Sequence, residues 1–420
     1  MDSTGAPASS ARPGAVLAPR RPWQHRRVLL GVTGGIAAYK SVQLARDLTQ
    51  LGAHVDVVLT RAAREFVGAV TFEALTGRTV HTAIIAEGGA LDHIRLARDA
   101  DLVCVAPATA DFLARAAQGR ADDLLSAILL ATTAPVLICP AMNDRMWAHP
   151  QTQANAAHLE RLGYLLLGPA TGPLAHGEGS GPGRLVEPET IVAHVGRLLA
   201  PPGALHGRRV VVSAGPTREP VDAVRVLTNR SSGRMGYAIA AAAWRRGADV
   251  TLISGPTELA PPIGPALLRA DTAGAMEAAV RAALPDADVL VMAAAIADFR
   301  PVAPSPVKIK KEQAPDSLAL EPAPDVLRAT RDARPAGMIA VGFALESNDG
   351  VRNARAKLTT KGLDLVVLNP ATEPGAGFEA DTNRVTLVSA DAAEELPLQT
   401  KDDAAEAILD RIEVLLDRRA

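Results

Sequence analysis

The sequence predicts an α/β protein with two parallel-sheet domains in tandem, and three observations carry that prediction. First, residues 27–30 read as a strand, residues 31–36 as a glycine-containing loop, and a helix follows through Leu48 before Gly52-Ala53-His54 turns into a strand at 55–59. Second, the same order returns later: a strand at 210–213, a glycine-containing loop, an alanine-rich helix, a turn at Gly247-Ala248-Asp249 and a strand at 250–253. Third, residues 100–112 (ADLVCVAPATADF) align without a gap to residues 287–299 (ADVLVMAAAIADF). Strand, crossover helix and parallel strand, with a glycine loop after the first strand, make both halves Rossmann-like. The Ala200-Pro201-Pro202-Gly203 linker divides the chain into a tail at 1–25 and domains at 26–200 and 204–420.

Composition agrees. A chain of 420 residues has room for two or three domains, and with 48% apolar but 3% aromatic content the cores are aliphatic. So few aromatics leave no base-stacking surface, and a net charge of −2 implies no nucleic-acid partner. Cys104 and Cys139 both fall in apolar strand runs, which excludes a disulfide scaffold and favours a reducing cytoplasm. The tail is rich in Ala, Pro, Ser and Arg without an apolar segment, so it reads as disordered and not as a signal peptide. Residues 124–142 carry no charge, yet Thr132-Thr133-Ala134-Pro135 splits them into a helix and a strand, so no membrane span is expected.

Along the first half, a phosphate suits the loop at Thr33, Gly34 and Gly35, at the start of a helix. A dinucleotide does not. The strands at 55–59 and 250–253 are followed by Thr60 and Ser254, where a ribose-binding carboxylate is required, so a mononucleotide such as FMN fits better than NAD. Three stretches are expected at the sheet's C-terminal edge: Asp92-His93-Ile94, residues 106–111 with Thr109, and residues 140–147 with Asn143. Each also has an ordinary reading: His93 as a surface or capping residue, Thr109 as the cap of a helix from Asp111, and Asn143 as a turn cap.

Along the second half, residues 208–236 run from a β-branched strand through a polar loop bearing Arg218, Arg225, Arg230 and Arg234 to a helix starting near Met235. Cations, Asn229, Ser231 and Ser232 beside a helix N-terminus suit an anion. A strand at 289–292 leads to Asp298, then to Lys308, Lys310 and Lys311. Residues 324–327 read as a turn into a helix, and a strand from about Met338 ends at 341–344. A following helix places Lys357 and Lys361 on one face. The lysines read equally as solvated charge. Residues 372–377 form a glycine-rich loop, residues 384–388 a late strand and residues 404–416 a closing amphipathic helix.

The motifs together carry more. T-G-G-I-A-A-Y-K (33–40), D-H-I (92–94), A-P-A-T-A-D (106–111) and P-A-M-N-x-x-M-W (140–147) resemble the FMN-dependent cysteine decarboxylases. A-G-P-T-R-E-P-V-D (214–222) and N-R-S-S-G-R-M-G (229–236) resemble phosphopantothenate–cysteine ligase, with Arg234 where that family usually has Lys. From about Arg27 onward the chain is similar to the bifunctional family of coenzyme A biosynthesis that fuses the two. The resemblance implies CTP-dependent joining of cysteine to 4′-phosphopantothenate through an acyl-cytidylate, with Mg2+. It then implies FMN-dependent decarboxylation of phosphopantothenoylcysteine through a thioaldehyde. It implies His93 as base, Asn143 on the substrate carboxylate, and Thr33, Gly35, Thr60 and Thr109 as flavin contacts. Asp298, Lys308, Pro324, Asp325, Val326, Leu327, Phe343, Lys357 and Lys361 line the CTP site, and Asn229 turns over the acyl-cytidylate. A homo-oligomer is implied, with trimers of the first half and dimers of the second.

One stretch departs from the family. At residues 174–184 His176 stands where the decarboxylase flap has its acid cysteine, and the run is one residue longer. An imidazolium with an ordinary pKa of about 6.5 is able to donate that proton. A flap without a donor, leaving an oxidised enethiol, is the alternative. Two other classes compete with this two-step reading: a regulatory FMN-binding protein, which an intact ligase half opposes, and a nicotinamide oxidoreductase, which the missing acidic residues oppose.

Overall fold

The computed structural model describes residues 21–85, 91–177, 179–311, 316–346, 349–370 and 381–419. Tail residues 1–20, Glu178 of the flap and the loop at 372–377 lie outside the described residues. Two compact units divide at Pro201 and Pro202.

The first unit contains β1 (Arg27–Val32), α1 (Ala38–Gln50), β2 (His54–Leu59), α2 (Ala69–Thr76), α3 (Asp92–Asp99), β3 (Leu102–Ala108), α4 (Ala110–Ala117), α5 (Leu124–Ala131) and β4 (Val136–Pro140). After these come α6 (Asp144–Ala148), α7 (Pro150–Arg161), β5 (Leu165–Leu166), β6 (Ala170–Pro173), β7 (Ser180–Arg184) and α8 (Pro188–Leu199). Strands β1 to β5 form a parallel sheet in the order β2-β1-β3-β4-β5, and β6 and β7 pair antiparallel as a hairpin. The order reverses between β1 and β3, which opens a crevice at their C-terminal ends.

Helices cover both faces of this sheet, as the near-continuous apolar strands require. Val28, Leu30, Cys104 and Cys139 belong to one core, and Leu29, Val103, Val105 and Ile138 to the other. The uncharged run splits as expected: α5 starts on an Asp123–Ser126 capping box and β4 begins after Pro135. Among the described residues no helix is long and apolar enough to cross a membrane.

The expected tail reaches too far. The Trp23 indole donates to Val192 O at 3.0 Å and packs where a Cβ on Gly196 of α8 would stand 2.5 Å from its ring. A half-buried aromatic ring packed on the core outweighs the low-complexity composition around it.

The second unit contains β8 (Arg209–Ala214), β9 (Arg218–Pro220), β10 (Val226–Thr228), α9 (Arg234–Arg245), β11 (Asp249–Ser254), β12 (Ala266–Arg269), α10 (Ala273–Ala283), β13 (Val289–Met292), β14 (Phe299–Pro301), β15 (Leu320–Pro322) and α11 (Val326–Ala329). Beyond them lie β16 (Ile339–Glu346), α12 (Gly350–Lys361), β17 (Leu365–Pro370), β18 (Thr382–Asn383), β19 (Thr386–Val388), β20 (Ala393–Glu395), β21 (Gln399–Thr400) and α13 (Lys401–Asp417). The main sheet runs β12-β11-β8-β13-β16-β17-β19-β20. It is parallel from β12 to β17, whereas β19 and β20 are antiparallel, so this sheet is mixed at one edge. The polar loop bearing Arg218 is also more regular than expected, because β9 and β10 pair antiparallel.

The internal repeat is structural at one end only. Asp101 accepts from Arg27 N at 2.7 Å and Arg26 Nη1 at 3.0 Å; Asp288 accepts from Arg209 N and Arg208 Nη1, both at 2.8 Å. Past the strands the halves part. Thr109 caps α4, while the matching Ile296 leads to no helix and the chain enters the β14–β15 hairpin.

Candidate active sites

In the first unit the loops after β1 to β4 and the β6–β7 hairpin enclose a cavity of about 1240 Å³. Thr33, Gly35, Thr60, Thr109 and Asn143 all line it. Thr33 and Thr60 do so in an unexpected way, and Thr109 as the helix cap its position suggested. Thr33 donates its hydroxyl to Pro107 O at 2.8 Å and accepts from Thr109 N at 3.1 Å. Thr60 donates to Val32 O and accepts from Ala63 N, both at 3.3 Å, and Thr109 accepts from Phe112 N at 3.3 Å. These hydroxyls tie loop to loop and shape the wall. Gly34 is required by close approach, since a Cβ there would stand 2.3 Å from that of Ala62, while a Cβ on Gly35 would meet Thr109 Cγ2 at 3.6 Å, an ordinary contact.

Asn143 serves both readings. Its Oδ1 accepts from Arg145 N at 2.9 Å and caps α6, which leaves its amide N–H groups for the cavity. The flap is the β6–β7 hairpin. Met142 N donates to Gly183 O at 2.9 Å, so the returning strand lies against the Asn143 turn. Pro173, Leu174 and Ala175 line the cavity, and His176 follows them, exposed at the hairpin tip.

His93 does not join this group. It lies in the first turn of α3, is not among the cavity residues of its own unit, and its Nδ1 is buried with no hydrogen-bond partner. Asp92 is drawn elsewhere, to His81 Nδ1 at 3.6 Å and Arg95 at 3.0 Å.

Charged wall residues escaped the sequence reading. Lys40 Nζ lies 3.0 Å from Glu187, which also pairs with Arg184; the Lys40 hydrogen bond foremost holds the Glu187 carboxyl below its usual range. Arg115 bonds Asp111 at 2.7 Å and Asp123 at 3.0 Å, and the Asp111 bond raises its pKa further. Lys40 and Arg184 both stand inside the quoted motifs, so the signal was present. A flavin mononucleotide fits this chemistry: the volume slightly exceeds the roughly 300–1,000 Å³ common for small-ligand pockets, a glycine-led helix start suits a phosphate, and Lys40 and Arg184 supply cations.

In the second unit several expected residues converge past the end of β13 and along the later half of β16. Lys357 Nζ donates to Phe343 O at 2.6 Å, and Lys361 pairs with Asp325, which caps α11 through Arg328 N at 3.1 Å. Burial first, then the like charge of Lys361, pushes the Lys357 ammonium below the usual lysine range, against the opposing pull of Asp325, Glu346 and Asp298. Asn229 Nδ2 donates to Ala295 O at 3.3 Å and Ile296 O at 3.0 Å, two residues before Asp298. Lys308 is exposed on an irregular segment. Val326 is 1% exposed and belongs to the core, so its side chain is closed to a nucleotide. Of the loop arginines, Arg225 pairs with Asp222 at 2.9 Å and Arg234 with Asp381. Ser254 is fully buried against Tyr237, which removes it from ligand contact.

The chain matches the family model described as Flavoprotein over residues 17–200 and that described as DNA/pantothenate metabolism flavoprotein C-terminal domain over residues 205–415. It is 43% identical over 388 residues to the coenzyme A biosynthesis bifunctional protein CoaBC of Vibrio cholerae, spanning 91% of this chain and 97% of that one. The chain belongs to the CoaBC family. A CoaBC of Mycobacterium tuberculosis is 47% identical over 407 residues, 93% of this chain and 97% of the relative. Among solved structures, a CoaBC C-terminal domain has 37% identity and a TM-score of 0.44, covering 51% of this chain and 99% of its own. A PPC decarboxylase mutant complexed with pantothenoylaminoethenethiol has 31% identity and a TM-score of 0.37, covering 41% and 97%. As a CoaBC family member the protein is a bifunctional enzyme of coenzyme A biosynthesis, with a flavoprotein decarboxylase half and a ligase half. The regulatory and nicotinamide readings fall away.

Proposed function

We propose that the second unit joins 4′-phosphopantothenate to cysteine with CTP, and that the first unit decarboxylates the product to 4′-phosphopantetheine. The convergence of Lys357, Lys361, Asp325, Phe343 and Asp298 carries this reading, because a lone flavoprotein has no use for it. Lys308, Lys357 and Lys361 neutralise the triphosphate and the charge developing at the α-phosphorus. Asp298, Phe343 and residues 324–327 hold the nucleotide, Val326 through its backbone. Asn229, fixed on the carbonyls of Ala295 and Ile296, assists turnover of the acyl-cytidylate. Among the described residues no cluster of three metal-binding side chains occurs. We assign Mg2+ to the phosphates of CTP, the usual mode for this ion.

In the first unit the cofactor is FMN, which supplies hydride acceptance and return when bound. The Asn143 amide holds the substrate carboxylate and His93 takes the thiol proton. Because His93 is absent from its own unit's cavity, we assign it to the cavity of a second copy in a homo-oligomer. Leu91 and Ile94, 70% and 46% exposed beside it, support such a contact. His176 donates the last proton from the flap tip. The buried free thiols of Cys104 and Cys139 suit the cytoplasm.

Mass spectrometry of products from phosphopantothenate, cysteine, CTP, Mg2+ and FMN tests the scheme. Phosphopantetheine is expected. A decarboxylated product two hydrogens lighter removes His176 as donor, accumulation of phosphopantothenoylcysteine removes the decarboxylase, and no conversion removes the whole reading. Mixing inactive His93→Ala and Asn143→Ala chains tests the shared site: remixed oligomers regain activity at about one site in four, and failure to regain any refutes it.

A further inference from the structure

Asp222 sits in the turn between β9 and β10, its side chain fully enclosed. It serves two masters. One oxygen accepts from the N–H groups of Val224 and Arg225, both at 2.8 Å, and fixes the local turn. The other accepts from Arg225 Nη1 at 2.9 Å and from Ile309 N at 3.2 Å, 87 residues away. The Val224 N–H foremost holds its carboxyl below the usual range. Two neighbouring bonds reinforce the long-range link: Ser305 N donates to Val221 O at 3.0 Å, and Arg225 Nη1 donates to Ile309 O at 3.3 Å. The segment so held, 303–310, contains no helix or strand. It carries Lys308 next to Ile309, with Lys310 beyond.

We propose that Asp222 is a positioning residue for nucleotide binding: its buried carboxylate clasps the Lys308 segment and Arg225 into one arrangement, so that Lys308 meets the CTP triphosphate. The proposal rests on the reading of Lys308 as a triphosphate contact. A carboxylate is needed because the clasp has only donors facing it. Asparagine replaces one acceptor with a further donor and cannot satisfy both the turn and the segment.

The test compares Asp222→Asn, Ile309→Pro and Lys308→Ala in the full chain with FMN bound, by pyrophosphate release and by decarboxylation of supplied phosphopantothenoylcysteine. Ile309→Pro deletes the distant N–H, restrains the backbone at 308–309 and leaves the turn's own bonds intact. Losing a hydrogen bond to a charged group predicts a KM for CTP raised about tenfold or more in both clasp variants. The KM for cysteine and the decarboxylase rate stay unchanged. If Lys308→Ala raises the KM for CTP while both clasp variants keep it, the positioning role is overturned. If Lys308→Ala leaves it unchanged, the reading of Lys308 fails and the proposal with it. A uniform rise in every ligase KM, with earlier melting of the second unit in both clasp variants, assigns Asp222 to stability alone and also overturns it.

Discussion

Gly183→Ala isolates the contact between the flap and the Asn143 turn. Gly183 lies in β7, and a Cβ added there would stand 2.2 Å from Met142 O, 3.2 Å from Asp144 N and 3.3 Å from the carbonyl carbon of Asn143. These atoms are backbone and cannot swing aside as a flexible side chain would. The nearest contact must open to at least 3.0 Å, which breaks the 2.9 Å bond from Met142 N to Gly183 O. Asn143 on one side and Arg184 on the other then shift by nearly the ~1 Å that costs a catalyst about a hundredfold. The assay follows CO2 release from phosphopantothenoylcysteine with saturating FMN, and pyrophosphate release from the same preparation controls for folding of the second unit. Gly181→Ala is the milder comparison, since its Cβ would meet the Asp144 side chain at 2.8 Å. The expected order of decarboxylase rates is parent, Gly181→Ala, Gly183→Ala. A Gly183→Ala enzyme that decarboxylates at the parent rate refutes the claim that this contact sets the site.

Two further outcomes are expected. Arg246 is 4% exposed and bonds Glu406, Asp410 and Glu413, all enclosed between α9 and α13; Arg246→Met leaves buried carboxylates without that cation, at a cost of about 3–5 kcal/mol. At about 2–4 °C per kcal/mol for a unit of this size, calorimetry should show the ligase unit melting about 6–20 °C lower while the decarboxylase unit is unmoved; an unshifted transition refutes the ion cluster's role. Lys357 tests pH: its pKa is lowered by burial foremost, so it discharges at lower pH than an ordinary lysine. Between the lowered and the ordinary value the folded state binds fewer protons than the unfolded one, so stability rises with pH there while the cation for CTP is lost. The KM for CTP should rise on the alkaline side, and Lys357→Arg should flatten that rise; an unchanged profile excludes Lys357 from the triphosphate.

What the sequence disclosed, and what it hid, follow the range of the interactions. Strand, glycine loop and helix were legible because the glycine requirements and buried β-branched runs are local. Two hydroxyl roles were not: Thr33 and Thr60 stand where ligand donors are expected, and only the folded loops reveal that their partners are Pro107 and Val32, whereas Thr109 takes the capping role its place before a helix suggested. Asp222 with Ile309 and Arg246 with Glu406 are separated by 87 and 160 residues, so no window contains both partners. Which cavity His93 serves was hidden for a related reason, since a place in the first turn of α3 does not say which copy's cavity it faces.

The ungapped repeat shows where sequence likeness stops being structural likeness. Arg26–Asp101 and Arg208–Asp288 reproduce one clasp at the N-terminal edges of the two sheets, where a strand only needs joining to its neighbour. At the C-terminal edges the two thirteen-residue stretches part: Thr109 has a hydroxyl to cap α4, and Ile296 has none. With no helix started, Asp298 and Phe299 extend into a hairpin whose base carries the expected nucleotide residues, while Asp111 and Phe112 stay in α4 beside the first cavity. Two copies of one scaffold thus kept the end that holds the sheet together and altered the end where ligands bind, which is how neighbouring sequences this alike support two different reactions.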